Sequence, residues 1–200
     1  MPAETMIAPG FSDPIFQSQA AFRALLAALS EPGTLQQVTR KITPPEGRAT
    51  ATATALLTLA DYETPVWLPK ALRDGPAGAW LRFHCGAALV ETPAQAACAA
   101  IDGAADEPKL AAFNLGTDQF PDRSTTLIVQ VAGLEGGDAL TLAGPGILGS
   151  RSIAPQGLRA GFTDELRENG MLYPLGVDVL LAHGEGLIGL PRSTQVQEAR

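Results

Sequence analysis

Ser124-Thr125-Thr126-Leu127-Ile128-Val129-Gln130-Val131 is a run of β-branched and aliphatic residues, the composition of a central strand. On its C-terminal side, Leu140–Ala143 reads as a strand running into Gly144-Pro145-Gly146, and Ser152–Pro155 as another short one. Gly161–Asn169 reads as a helix capped by Thr163. Gly176–Leu181 and Leu187–Leu190 flank Ala182-His183-Gly184-Glu185-Gly186, which marks a hairpin. On its N-terminal side, Asp13 caps and Pro14 opens a first helix, whose Phe22, Leu25, Leu26 and Leu29 recur on one face. Ser30-Glu31-Pro32-Gly33 stops it. Thr34–Thr39 reads as a weak strand and Thr50–Ala60 as a second helix. Thr64 is pushed to an extended conformation by Pro65. Ala79–Cys85 alternates as a strand would; Pro93 to about Ile101 and Glu107–Phe113 read as short helices. Strands interleaved with helices predict a layered α/β domain, a mixed sheet flanked by helices in a three-layer arrangement. The reading is one domain over 1–200, with an ordered core from about 12 to 196 and loose ends outside it.

Two hundred residues, 46% hydrophobic and 18% charged, suffice for a hydrophobic core and exclude a disordered chain. Fourteen basic against 21 acidic residues give a net charge of −7. That field repels phosphate backbones and anionic lipid, which argues against nucleic-acid and membrane-surface roles. No apolar run is long enough to span a bilayer, and Met1–Gly10 lacks a basic segment followed by an apolar one. With two cysteines, Cys85 and Cys98, a cytoplasmic location with reduced thiols is the expectation.

Candidate chemical groups are few. Gly144-Pro145-Gly146-Ile147-Leu148-Gly149 spells G-x-G-x-x-G after a strand, but Ser150–Pro155 does not read as the helix that a nucleotide cradle requires. His84 and Cys85, adjacent in a predicted strand, point to opposite faces and form no dyad; Trp80, Arg82 and His84 would share one face. Arg82 with His84 could bind an anion or serve an interface. No spacing of His84, Cys85, Cys98 and His183 suits a metal. Asp61 and Glu63 flank a turn, and Asp164, Glu165 and Glu168 share a helix. Asp178 sits within the apolar run Leu175–Leu181 and needs a donor, for which Arg192 is the candidate; a structural ion pair and a ligand-binding pair both fit. Lys41, Lys70 and Lys109 are the only lysines, and none has a pocket suited to a Schiff base. No catalytic set, metal site or cofactor is therefore expected, and the isolated chain is expected to be inactive.

Several segments in order resemble the PhnH family, subunits of the bacterial carbon–phosphorus lyase core complex. They are Phe22-Arg23-Ala24-Leu25-Leu26 through Ser30-Glu31-Pro32-Gly33, Leu56–Asp61 into Thr64–Leu68, Leu81-Arg82-Phe83-His84 and Pro93-Ala94-Gln95-Ala96. Ile153-Ala154-Pro155-Gln156, Pro174–Asp178 and Pro191-Arg192-Ser193-Thr194 complete the series. The resemblance implies a fold similar to the large domain of pyridoxal-phosphate-dependent transferases, without the cofactor lysine or the cofactor. It implies assembly with PhnG, PhnI and PhnJ, and a homodimer in isolation. The system, with PhnL, is assigned the ATP-dependent step that places an alkylphosphonate on ribose C1, displacing adenine and leaving a 5-triphosphate. Nucleosidase-type chemistry is attributed to PhnI, and radical cleavage with an iron–sulfur cluster and S-adenosylmethionine to PhnJ; no catalytic residue of PhnH carries over. The readings in competition are an accessory subunit acting through protein surfaces, an anion- or nucleotide-binding subunit using Arg82, His84 or Arg192, and a vestigial pyridoxal-phosphate protein. The first also predicts a large apolar patch on an otherwise acidic surface.

Overall fold

In a computed structural model that describes residues 7–38, 42–106 and 108–198, the central run becomes strand β5, Thr126–Gln130, in the middle of a seven-stranded sheet. Its parallel neighbours are β4, Cys98–Asp102, and β8, Asp178–His183. Beyond β4 lie two short parallel strands, β2 (Val66–Trp67) and β3 (Leu89–Val90). Beyond β8, β9 (Gly186–Leu190) runs antiparallel to it, and β1 (Leu35–Gln37) antiparallel to β9. The sheet order is β1-β9-β8-β5-β4-β2-β3. A second, antiparallel sheet has the order β10-β6-β7, from Gln195–Glu198, Leu140–Ala143 and Arg151–Ile153.

Alternating side chains of the large sheet feed two cores. Cys98, Ala100, Ile128, Leu180 and Ala182 face helices α1 (Pro14–Ser30), α2 (Thr50–Leu59) and α4 (Pro76–Cys85), including Leu25, Leu56 and Trp80. Leu127, Val129, Val179 and Leu181 face the small sheet and α5 (Phe162–Met171), including Leu140, Leu142 and Phe162. Burial on both faces explains why β5 and β8 read as continuous apolar runs. Each Leu or Ile so enclosed contributes roughly 1.5–3 kcal/mol of transfer free energy.

Helix α1 starts as read: the Asp13 carboxylate accepts from the Phe16 N–H at 3.3 Å, with Pro14 in the first turn. The predicted apolar face divides, however. Leu25 is buried and Leu29 packs beside it, whereas Phe22 and Leu26 are more than half exposed. Ala21 and Ala28 complete the inner face. At Gly189, β9 meets α1 so closely that a Cβ would lie 2.3 Å from the Ala28 carbonyl oxygen. We expect Gly189→Ala to lift α1 and cost about 1–3 kcal/mol, seen as a lower urea midpoint at unchanged slope.

Several expectations are corrected. Ala79–Cys85 is the second part of helix α4, whose buried Ala77, Trp80 and Leu81 have helical spacing. Pro76 suits its first turn, and Gly86, at φ 66°, ends it. Pro93–Gln95 makes only a 3₁₀ turn, and β4 follows where helix was expected. Leu110–Ala112 is again a 3₁₀ turn, and Glu107 lies outside the described residues. Gly161, not Thr163, is the N-cap residue of α5. Residues 195–198 are not loose: β10 pairs with β6 from Gln195↔Ala143 to Glu198↔Leu140. Nor are Ala8 and Pro9, whose carbonyls accept hydrogen bonds from Trp80 and Thr43.

Candidate functional site

Open α/β sheets bind ligands beyond the carboxyl ends of their parallel strands. Here that edge carries Asp102 at the end of β4 and, opposite it in register, Gln130 at the end of β5. The Gln130 amide is spent on the start of α2, which has no side-chain cap of its own. Its Oε1 accepts from the Ala49 N–H at 2.7 Å and the Thr52 hydroxyl at 3.1 Å, and its Nε2 donates to the Gly47 carbonyl at 3.0 Å. The Ala51 N–H donates to the Gly184 carbonyl at 2.8 Å. Arg48 pairs with Asp102, Nη1 lying 3.0 Å from Oδ1. Two amides at the start of α2, those of Ala49 and Ala51, are thus occupied by the chain itself and not offered to a phosphate. Sequence reasoning missed Arg48, Asp102 and Gln130; the one signal was a polar residue closing an apolar strand.

Asp178 and Arg192 meet at the opposite end of the sheet, where β8 begins. Arg192 reaches Asp178 with Nε at 3.1 Å from Oδ1 and Nη2 at 2.6 Å from Oδ2. The Arg192 backbone N–H also donates to Oδ1, at 2.9 Å, and Nη1 donates to the Pro121 carbonyl. Each carboxylate oxygen is therefore bonded, and the guanidinium ties the end of β9 to the Pro121–Arg123 turn. We expect Arg192→Ala to leave a part-buried carboxylate without its cation, at a cost of about 2–4 kcal/mol in denaturant titration.

Arg82 and His84 do not share a face, because α4 is a helix and residues two apart on a helix diverge. Arg82 is exposed, its Nη1 3.5 Å from the Arg73 carbonyl oxygen. His84 lies beside Trp80, and both ring nitrogens address one acceptor: Trp80 Nε1 donates to the Ala8 carbonyl at 2.8 Å, and His84 Nε2 lies 2.9 Å from the same oxygen. A carbonyl only accepts, so His84 carries its proton on Nε2. A Cβ on Gly10 would come within 2.8 Å of the Nδ1 atom, so that side is covered too. His84 thus fastens the segment before α1 onto α4.

The Gly144–Gly149 loop leads into β7 and not into a helix. Gly146 adopts φ 82°, and a Cβ there would lie 2.2 Å from the Ser30 carbonyl oxygen, so the glycine admits the end of α1. Asp61 closes its turn by accepting from the Thr64 hydroxyl at 2.8 Å and the Glu63 and Thr64 N–H groups. Those bonds, the hydroxyl first, hold its carboxyl below the usual range. Lys109 pairs with Glu165 at 3.2 Å, and Lys70 opens the short helix α3, Lys70–Arg73. Lys41 lies outside the described residues. Among the described residues no three of His, Cys, Asp or Glu converge as metal ligands would.

Both thiols are free and poorly activated. Burial pushes the Cys98 thiol up to about 12, and burial likewise raises Cys85. Iodoacetamide at pH 8 will therefore label Cys85 slowly, and Cys98 only after unfolding, which intact mass will read as one adduct and then two. Equal labelling of both thiols in the native chain would contradict this packing.

Comparison with known proteins gives a consistent result. The family described as "Bacterial phosphonate metabolism protein (PhnH)" matches residues 9–197. A protein of Rhizobium meliloti (strain 1021), named alpha-D-ribose 1-methylphosphonate 5-triphosphate synthase subunit PhnH, is 39% identical over 198 residues, spanning 98% of this chain and 99% of that protein. A putative C-P lyase subunit protein HtxG of Stutzerimonas stutzeri is 30% identical over 182 residues, 90% of this chain and 86% of its own length.

Proposed function

The chain belongs to the PhnH family of bacterial phosphonate-metabolism proteins, and from that premise we propose that it is an accessory subunit of a carbon–phosphorus lyase assembly. It acts in the step that forms alpha-D-ribose 1-methylphosphonate 5-triphosphate from ATP and methylphosphonate, as the name of the Rhizobium relative suggests. Its contribution is a surface lent to subunits that hold the reactive groups. The observation that carries this reading is the outer side of α1. Ile15, Phe16, Phe22 and Leu26 are each more than half exposed, while the inner side of the same helix is packed on the sheet. Large apolar side chains left in water on an otherwise acidic protein mark a protein interface. The self-occupied carboxyl edge of the sheet supports the same view.

PhnG, PhnI and PhnJ are the proposed partners. In isolation the same face of α1 is offered to a second copy, giving a homodimer. The proposed location is the cytoplasm, where ATP and reduced thiols are found; among the described residues no helix is long and apolar enough to cross a membrane. The test is to co-express the chain with those partners and assay adenine release from ATP with methylphosphonate. Activity will require this chain, and the purified chain alone will release no adenine. Full activity in its absence, or turnover by it alone, would refute the proposal.

A further inference from the structure

A groove of about 740 Å³ lies between α5 and the Leu110–Ala112 turn, on the far layer from α1. Leu110, Leu115, Met171 and Leu172 line it, and the last two remain largely in water, at 73% and 43% exposure. Its polar groups are unusual in what they lack. The Asn169 amide faces inward and is used up, donating to the Val177 carbonyl at 2.9 Å and accepting from the Val177 N–H at 2.8 Å. Lys109 is held by Glu165, and the Leu110 N–H also donates to Glu165, at 2.9 Å. Glu165 in turn is satisfied by Arg159, and Asp164 is paired with Arg167.

Glu168 is the exception. It lines the groove with no hydrogen-bond or ion-pair partner among the described residues. It stands three and four residues before Met171 and Leu172, so its carboxylate shares a face with those apolar side chains. The last turn of α5 contains no basic residue to meet the negative end of the helix dipole. Among the described residues the groove therefore offers apolar surface, one unpaired carboxylate and a helix end without a basic side chain, against a single cation, Lys109, that Glu165 already holds. Three carboxylates, Asp164, Glu165 and Glu168, against Lys109 make the lining negative, which disfavours an acceptor-rich anion such as ATP or a phosphonate.

We propose that this groove is a second docking surface, which receives a segment of a partner subunit presenting an arginine or lysine flanked by apolar side chains. The cation pairs with Glu168 and the end of α5, and its neighbours cover Met171 and Leu172. A protein segment is favoured over a small cation because the exposed Met171 and Leu172 side chains lie beside the carboxylate, apolar surface that a small cation would leave in water. The inference rests on the accessory-subunit reading, and adds a surface distinct from α1.

The experiment uses the co-expressed assembly. With p-benzoylphenylalanine placed at Met171, irradiation will crosslink a partner peptide, and mass spectrometry will find Arg or Lys among apolar residues in it. Glu168→Lys will weaken retention of this chain by about tenfold or more, and Glu168→Gln will flatten the salt dependence of retention. Both positions are exposed, so circular dichroism melts will match the parent. If the parent chain forms no complex, the accessory-subunit reading and this inference fail together. If it forms one that Glu168→Lys leaves intact, or the crosslinked peptide is acidic, the groove assignment alone falls. Micromolar binding of spermidine with assembly unchanged would instead identify a small-cation site and overturn the proposal.

Discussion

Glu165→Ala will destabilise the chain by about 3–5 kcal/mol, because it strips a buried guanidinium of its counter-charge. Arg159 exposes 3% of its side chain and Glu165 13%. Arg159 Nη2 lies 2.7 and 2.9 Å from the two carboxylate oxygens. The same guanidinium donates to the Ala105 and Pro108 carbonyls and stands over the Phe162 ring. Glu165 also accepts the Leu110 N–H. The pair thus fixes α5 to the 105–110 connection and closes the outer layer over the second core. Thermal unfolding should fall by about 10 °C for a chain of this size. Arg167→Ala breaks the exposed pair with Asp164 and should cost under about 1 kcal/mol. Replacing both partners, Arg159→Met with Glu165→Leu, should recover much of the loss, since the penalty comes from the charge left behind. A Glu165→Ala midpoint indistinguishable from that of Arg167→Ala would refute the argument.

Legibility from sequence followed how local each signal was. The start of α1, the hairpin of β8 and β9, and β5 were readable, because a cap, a glycine turn or a continuous apolar run lies within a few residues. Helix α4 was not. Its Leu81, Phe83 and Cys85 alternate, which suggested a strand, while the buried set Ala77, Trp80 and Leu81 follows the helical period. Gly75-Pro76 before it and Gly86 after it were the overlooked punctuation. Strand β4 was hidden because its Cys98, Ala99 and Ala100 are small and lack the β-branched or aromatic character of a strand. The Asp178–Arg192 contact could be inferred because a carboxylate in an apolar run requires a donor. The Arg48–Asp102 pair and the Gln130 cap could not, since their partners are 54 and about 80 residues apart and nothing local demands them. Arg82 and His84 were placed on one face by the strand reading and part because α4 is a helix.

Phe22→Asp combined with Leu26→Asp will remove the chain from its assembly while leaving the chain folded. The two side chains lie four residues apart on the solvent side of α1, one helical turn from each other. The helix is held by its opposite side, where Leu25 and Ala28 pack on the sheet and Gly189 admits the backbone. Charging the outer side therefore breaks no intramolecular contact of the core, and stability should change by no more than about 0.5 kcal/mol. Binding is different. Buried aromatic anchors at interface centres are worth about 2 kcal/mol or more, and a carboxylate placed there must also be desolvated, so retention should fall by about thirtyfold or more. The isolated variant should also run as a monomer, because the proposed self-association uses the same face. Co-purification stoichiometry, sedimentation and phosphonate-dependent growth read these effects separately. A folded double variant that still co-purifies at parental stoichiometry would show that α1 faces no partner.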